Sequence, residues 1–296
     1  MPKLELEILG TASMVPTKER NHTSAFLTYK DKGILFDCGE GTQRQLKIAG
    51  IKPSRISKIL ITHWHGDHVL GLPGLLQTMG NSDYVEKLEI YGPKGSKKYF
   101  EHMTKSFAFD TKVEMEIKEV DEGIIFENND FYIQAERLSH GILTLGYSFI
   151  EKDTRKIDKR KIKNIPGKLI GTLQKGKSVM IKGKNIHPDD VGSIQRGKKI
   201  SFITDTEPCN GANQLAEGSD IMVCESTYMD ELEEKGSQYK HMTAKQAALI
   251  ASNNDVKKLV LIHFSGRYKT TDEIEKEARD IFPNTDCAYD FYKNRI

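Results

Sequence analysis

Short apolar runs recur along the chain, most with a polar residue close behind. Lys3 to Leu9 (KLELEIL) alternates apolar and polar positions at period two, as a strand with one buried face would. Gly33 to Phe36, Lys58 to Ile61, Ile200 to Ile203, Ile221 to Val223 and Leu259 to Ile262 are largely apolar instead, which suits strands buried on both faces. The stretches Leu72 to Thr78, Gly95 to Thr104, Thr243 to Ser252 and Asp272 to Phe282 predict helices, several opening on Asp or Thr suited to N-capping. Strands alternating with helices predict an α/β protein.

Five of these runs end alike. Asp37 follows GILF, His63 follows KILIT, Asp205 follows ISFIT, Glu225 follows IMVC and His263 follows LVLI. Ligand sites in α/β sheets gather where strand C-termini open into loops, so these five residues are expected to converge. The order Asp37 then His63, echoed by Asp205 then His263, hints at two similar halves without establishing a duplication.

The stretch THWHGDH, residues 62 to 68, crowds His63, His65, Asp67 and His68 behind one strand. In an extended stretch alternate side chains share a side, so His63 and His65 can bind one metal ion while Trp64 turns into packing. Asp67 and His68 are then left over, and a second ion would take them with ligands from other strand ends. A structural zinc site is the alternative. Such sites are closed and usually cysteine-rich, whereas histidines mixed with carboxylates suit open, catalytic coordination. Zinc, manganese and iron(II) all accept these donors.

Composition narrows the class. At 296 residues and 38% hydrophobic content, the chain fits one domain or a domain with a large insertion. It shows neither a secretion signal nor an apolar run near the ~18 residues of a membrane span, so the expectation is a cytoplasmic protein. Cys38, Cys209, Cys224 and Cys287 lack CxxC spacing and read as free, mostly buried thiols. Charge is unevenly placed: residues 151–199 hold 15 Lys/Arg against 5 Asp/Glu, or +10, which leaves −8 elsewhere in a chain of net +2. With Pro166-Gly167, Gly171, Gly176, Gly183 and Gly192, this segment reads as a protruding arm. It is either a solvated face or a patch for a polyanion, because clustered Lys/Arg gain affinity for phosphates by counterion release.

At these residues the chain resembles the metallo-β-lactamase superfamily and, within it, the ribonuclease Z family. The matching stretches are Thr62 to His68 with Gly71 to Leu76, Phe36 to Gln43, Ser139-His140 through Gly146-Tyr147, Phe202 to Thr206, Glu225-Ser226-Thr227-Tyr228, His241-Met242-Thr243-Ala244 and His263 to Tyr268. The narrower resemblance rests on Pro16-Thr17-Lys18-Glu19-Arg20-Asn21, similar to the family's PxKxRN loop, and on the basic segment around Pro166-Gly167, similar to its tRNA-binding arm.

The resemblance implies a four-layer αβ/βα sandwich over residues 1–296, with 151–199 an inserted arm. It implies two Zn²⁺ ions, with Mn²⁺ or Fe²⁺ as alternatives: His63, His65 and His140 on one, Asp67, His68 and His263 on the other, and Asp205 on both. Asp37 reads as holding an imidazole by its other nitrogen, with a turn-capping aspartate as the alternative. Asp67 is the expected acceptor of the water's proton, and His241, held protonated by Glu225, the expected general acid. Lys18, Arg20, Asn21 and Arg267 are expected substrate contacts, as are Gly167, Lys168, Gly171, Lys175 and Lys177 in the arm. Met242 and Gly266 depart from the family pattern, which commonly has Ser at both places. The implied activity is endonucleolytic removal of the 3′ trailer from precursor tRNA by a homodimer. Two rivals remain open at this point: a hydrolase of small esters would not use the arm, and a non-catalytic RNA-binding protein would not need Glu225 with His241.

Overall fold

The computed structural model describes residues 4–81, 87–108 and 112–296. Among these residues the strands build two seven-stranded sheets and two small two-stranded ones. The first large sheet runs, edge to edge, through Lys293–Arg295, Leu4–Gly10, Ser24–Tyr29, Lys32–Phe36, Ile56–Leu60, Leu88–Gly92 and Met115–Glu119. The second runs through Thr285–Cys287, Leu259–Ile262, Ile221–Glu225, Lys199–Ile203, Thr144–Glu151, Phe131–Leu138 and Gly123–Glu127. Lys3, the first residue of the expected opening strand, lies outside the described residues.

The continuous apolar runs are strands covered on both sides, as their lack of alternation requires. Phe36, Leu60, Phe202, Val223, Val260 and Ile262 enter a core between the two sheets. Their neighbours turn the other way. Leu35 and Ile59 join Leu72, Leu75 and Leu76 of the helix Leu72–Gly80, while Met222, Cys224 and Leu261 join Ala247, Ala248 and Ala251 of the helix Ala244–Asn253. The order of layers is therefore helix, sheet, sheet, helix, and Phe36 meets Phe202 across the middle with ring centroids 5.2 Å apart.

The four expected helices occupy Leu72–Gly80, Ser96–Lys105, Ala244–Asn253 and Asp272–Arg279. Thr243 caps the third, its hydroxyl accepting from the Gln246 backbone N–H in a capping box. Asp272 does not cap the fourth; it lies inside the first turn, where its charge favours the helix dipole. All four cysteines are free, with Cys38, Cys224 and Cys287 buried. Among the described residues no helix is long and apolar enough to cross a membrane.

Between Glu151 and Lys199 the chain leaves the second sheet. Thr154–Ile157 pairs antiparallel with Gly192–Gln195, and beyond this ribbon lie the helix Gly167–Gln174 and the hairpin Val179–Ile181 with Lys184–Ile186. Buried Leu173, Val179 and Val191, flanked by Ile157, Ile162, Leu169 and Ile186, give the excursion a small core of its own. Isolated apolar positions, rather than runs, supply that core. Lys199 pairs with Ile150 and Phe202 with Tyr147, so the excursion is rooted at the end of the sheet opposite Asp205. The separation along the strand is about 20 Å at ~3.3 Å per residue.

Truncating the ring at the centre of the inter-sheet core, Phe202→Ala, should cost about 3–5 kcal/mol in urea unfolding. The same truncation at Ile124, 59% exposed on an edge strand, should change stability by less than ~0.5 kcal/mol.

Candidate active site

Three of the strand-end residues share an unusual backbone. Asp37, Asp205 and His263 have φ of 53°, 53° and 62°, a left-handed conformation that costs an L-residue roughly 1–2 kcal/mol. Such strain persists where surrounding structure holds it, characteristically at functional sites. His65 precedes the short helix Gly66–Val69, which carries Asp67 and His68. The turn between it and the helix Leu72–Gly80 packs so closely on the loop after Phe36 that a Cβ on Gly71 would lie 2.1 Å from the Gly39 carbonyl oxygen. Glycine is required there by the close approach.

The fold brings the expected ligands together in two sets. His63, His65, His140 and Asp205 each offer one donor atom within 4.8 Å of the others, and so do Asp67, His68, Asp205 and His263. Asp205 belongs to both sets: its Oδ1 lies 3.1 Å from His263 Nε2 and 3.3 Å from His68 Nε2, its Oδ2 3.7 Å from His63 Nε2 and 3.9 Å from His140 Nε2. Asp67 Oδ2 lies 3.4 Å from His68 Nε2 and 3.7 Å from His263 Nε2.

Hydrogen bonds at the outer nitrogens show what these residues can hold. His68 Nδ1 meets Asp37 Oδ2 at 2.8 Å, His140 Nδ1 meets the Lys240 carbonyl at 3.1 Å, and His63 and His263 Nδ1 meet the hydroxyls of Thr62 and Thr227 at 3.0 and 2.9 Å. Among the described residues the inner Nε2 atoms of His68 and His263 are buried with no hydrogen-bond partner, a state that otherwise costs ~1–3 kcal/mol per group. Lone pairs turned inward among carboxylates are the donor set of divalent cations, and the residues fit such ions. Burial pushes the Asp205 carboxyl up, but the imidazoles of His263, His68 and His63 outweigh it and hold Asp205 well below the usual carboxylate range. Burial holds His63 well below the ordinary histidine value.

Asp37 touches both an imidazole and the segment after Ile61. It binds the His68 ring and also accepts from the Thr62 backbone N–H at 2.8 Å and the Thr62 hydroxyl at 2.9 Å. Glu225, fully buried at the end of its strand, lies 3.0 Å from His241 Nδ1 and accepts from Thr206 N–H at 2.5 Å and the Thr227 hydroxyl at 2.6 Å. Burial opposes the charge on His241, but the Glu225 carboxylate and its hydrogen bond raise the imidazole to about 9. The His241 ring stacks on His263 with centroids 5.4 Å apart and faces His140 at 5.1 Å.

The metallo-β-lactamase superfamily profile matches residues 17–150. Ribonuclease Z of Methanothermobacter thermautotrophicus is 40% identical over 291 residues, spanning 97% of this chain and 95% of that protein. The chain belongs to the ribonuclease Z family. These are endoribonucleases, and ribonuclease Z of Chlamydia trachomatis is likewise 38% identical over 98% of both chains. The crystal structure of the short form of human tRNase Z superposes with a TM-score of 0.73 at 26% identity, covering 98% of each chain.

The other residues expected to bind substrate are placed unequally. Arg20 donates to the Tyr268 carbonyl at 2.9 Å and lies over the Phe264 ring, 5.3 Å from its centroid. Asn21 donates to the Glu40 carbonyl at 2.7 Å. Both thereby tie the loop at residues 16–21 to its neighbours, and Lys18 stands exposed on it. Arg267 is exposed above the Tyr228 ring, 5.2 Å from its centroid. Gly167, Lys168, Gly171, Lys175 and Lys177 are exposed on the excursion, and nothing lies within 4 Å of a Cβ added at either glycine. Met242 is fully buried in the outer core, and a Cβ on Gly266 would meet its neighbours at an ordinary 3.6 and 3.8 Å.

Sequence reasoning missed Asp290, whose carboxylate accepts from Thr11, Asn21 and Gln45 and so anchors that loop. No motif marks it. His187, without a role in the sequence, caps the short helix Pro188–Val191.

Replacing Asp37 by Asn should lower divalent-metal affinity about 10–100-fold, as loss of an imidazole's outer hydrogen-bond partner does. Chelator competition measures it, and an unchanged affinity would reduce Asp37 to a turn-stabilising residue.

Proposed function

We propose that the chain cleaves precursor tRNA immediately 3′ of the discriminator nucleotide, acting as a cytoplasmic homodimer with two zinc ions per subunit. The observation that carries this reading is the pairing of two ligand sets through Asp205, with buried Glu225 holding His241 beside them, in a chain 40% identical to a ribonuclease Z. His63, His65 and His140 would hold one ion, Asp67, His68 and His263 the other, and Asp205 both. Manganese or iron(II) would suit the same donors. Bound there, the two ions supply an acidified water and neutralise charge on the phosphate.

The protein's own groups move the protons. Asp67 accepts the proton of the attacking water, whose oxygen forms the new bond to phosphorus. The bond from phosphorus to the 3′ oxygen breaks, and His241 gives that oxygen a proton, leaving a 3′-hydroxyl on the tRNA and a 5′-phosphate on the trailer. Glu225 orients His241 and favours its protonated form. The basic excursion, rooted about 20 Å along the strand from Asp205, suits contact with the tRNA body away from the cut. Lys18 and Arg267 would contact the substrate near the site, with Arg20 and Asn21 setting the loop that presents Lys18. Incubation with a precursor tRNA, followed by mapping of the new 3′ end, tests the reading directly. Cleavage elsewhere, or none with metal present, would overturn it.

His241→Ala should slow cleavage about 10²–10⁴-fold, yet much less for a nitrophenolate diester, whose leaving group needs no proton. The acid must be protonated to act, and His241 is raised to about 9, so kcat should hold below that pH and fall as pH rises through it. Glu225→Gln removes the charge that raises it and should move this alkaline limb to lower pH. A pH profile of kcat unchanged by Glu225→Gln would dismiss the pair as the acid.

Combined Lys168→Ala, Lys175→Ala and Lys177→Ala substitution should raise KM for precursor tRNA with little effect on the small diester. The salt dependence should flatten by roughly 0.7–0.9 of a log–log unit for each phosphate that the variant no longer neutralises. An unaltered salt slope would make the excursion a solvated face.

A further inference from the structure

Two threonine hydroxyls occupy equivalent positions on opposite sides of the site. Thr62 Oγ1 lies 2.9 Å from Asp37 Oδ2 and 3.0 Å from His63 Nδ1. Thr227 Oγ1 lies 2.6 Å from Glu225 Oε2 and 2.9 Å from His263 Nδ1. All six residues are buried, with Asp37, Thr62, His63 and Glu225 wholly inaccessible. Each carboxylate also holds a second imidazole, Asp37 that of His68 and Glu225 that of His241.

A hydroxyl has one hydrogen to give, and an ionised carboxylate can only accept. The hydrogen of each threonine therefore goes to its carboxylate, and the oxygen must accept from the imidazole. That places a proton of His63 and of His263 on Nδ1 and, in the neutral ring, leaves each Nε2 bare. The bare atoms face inward. Among the described residues His263 Nε2 is buried with no hydrogen-bond partner, Asp205 Oδ1 lying 3.1 Å away, and His63 Nε2 stands 3.0 Å from His65 Nδ1. Thr227 is also 3.4 Å from His241 Nδ1, but that nitrogen has the nearer Glu225 oxygens at 3.0 and 3.1 Å.

We infer that Thr62 and Thr227 are positioning residues that select the Nδ1–H tautomer of His63 and His263, each passing the demand of a buried carboxylate to one ligand of each metal set. A carboxylate bound straight to a ring would suffice for one imidazole. The intervening hydroxyl lets Asp37 and Glu225 each govern two rings, His63 with His68 and His263 with His241. The inference rests on the metal-site reading above, and it concerns the metal-free protein as much as the loaded one.

The test replaces each threonine by its near-isosteric valine, and by serine, which restores the hydroxyl. In the metal-free protein, ¹⁵N-histidine NMR should find His63 and His263 protonated at Nδ1. Thr62→Val should release His63 to a mixture with the Nε2–H form, and Thr227→Val should do the same to His263. Titration of each variant with Zn²⁺ against a chelator should show affinity for one ion reduced about 10–100-fold and the other kept. The serine variants should restore both readouts. Valine variants that keep the native tautomer and both affinities would overturn the inference, as would serine variants as impaired as valine, since packing would then be the cause. Native protein that binds no Zn²⁺ would overturn the metal reading alone, because the tautomers of the metal-free chain are measured independently.

Discussion

A carboxylate with almost no access to water sits among four imidazoles, and the rest of the molecule is arranged to hold it there. Asp205 is 3% exposed, and its two oxygens face the Nε2 atoms of His63, His68, His140 and His263 at 3.1 to 3.9 Å. A buried charge is tolerated only when paired. Here the pairing comes from both sheets at once: the first sheet brings His63 and His68, the second His140, Asp205 and His263. The site exists only where the two sheets meet.

That meeting is fixed by apolar packing and by a few polar links. Phe36 against Phe202 and the surrounding aliphatic side chains set the spacing of the sheets. Near the site, Tyr147 donates its hydroxyl to the Ile61 carbonyl at 2.7 Å, and the Leu145 N–H reaches the Thr62 carbonyl at 2.9 Å. These bonds join the second sheet to the segment immediately before His63. The strained φ at Asp37, Asp205 and His263 is thus held in place by a rigid frame, which is what a site with little freedom to reorganise requires.

Around this centre, hydrogen bonds run outward through two buried carboxylates. Asp37 gathers Thr62 and His68, and Glu225 gathers Thr206, Thr227 and His241. Each links one strand end of the site to a neighbouring one. The resulting order differs in kind from that of the excursion, whose helix and hairpin rest on a cluster of few buried side chains and whose lysines point to solvent. The cluster of histidines and carboxylates and the exposed lysines occupy opposite ends of the second sheet.

Much of this is legible in the chain alone. Continuous apolar runs declare strands covered twice, because only a face turned to water forces alternation, and the polar residues behind them declare the site. Edge strands such as Met115–Glu119, Gly123–Glu127 and Lys293–Arg295 escape such a reading, since half-exposed strands carry charged and apolar residues without a clean period. Asp290, Thr62 and Thr227 are equally hidden, because a hydroxyl or carboxylate acquires its role from a partner distant in sequence. The sequence by itself determined which residue types could serve as ligands, acid and base, through chemistry that each side chain carries wherever it stands. Only the tertiary structure decided which imidazole nitrogen faces inward, how closely each carboxylate approaches the imidazoles and which loop residues are tied down, because those depend on distances between sheets that no local pattern encodes.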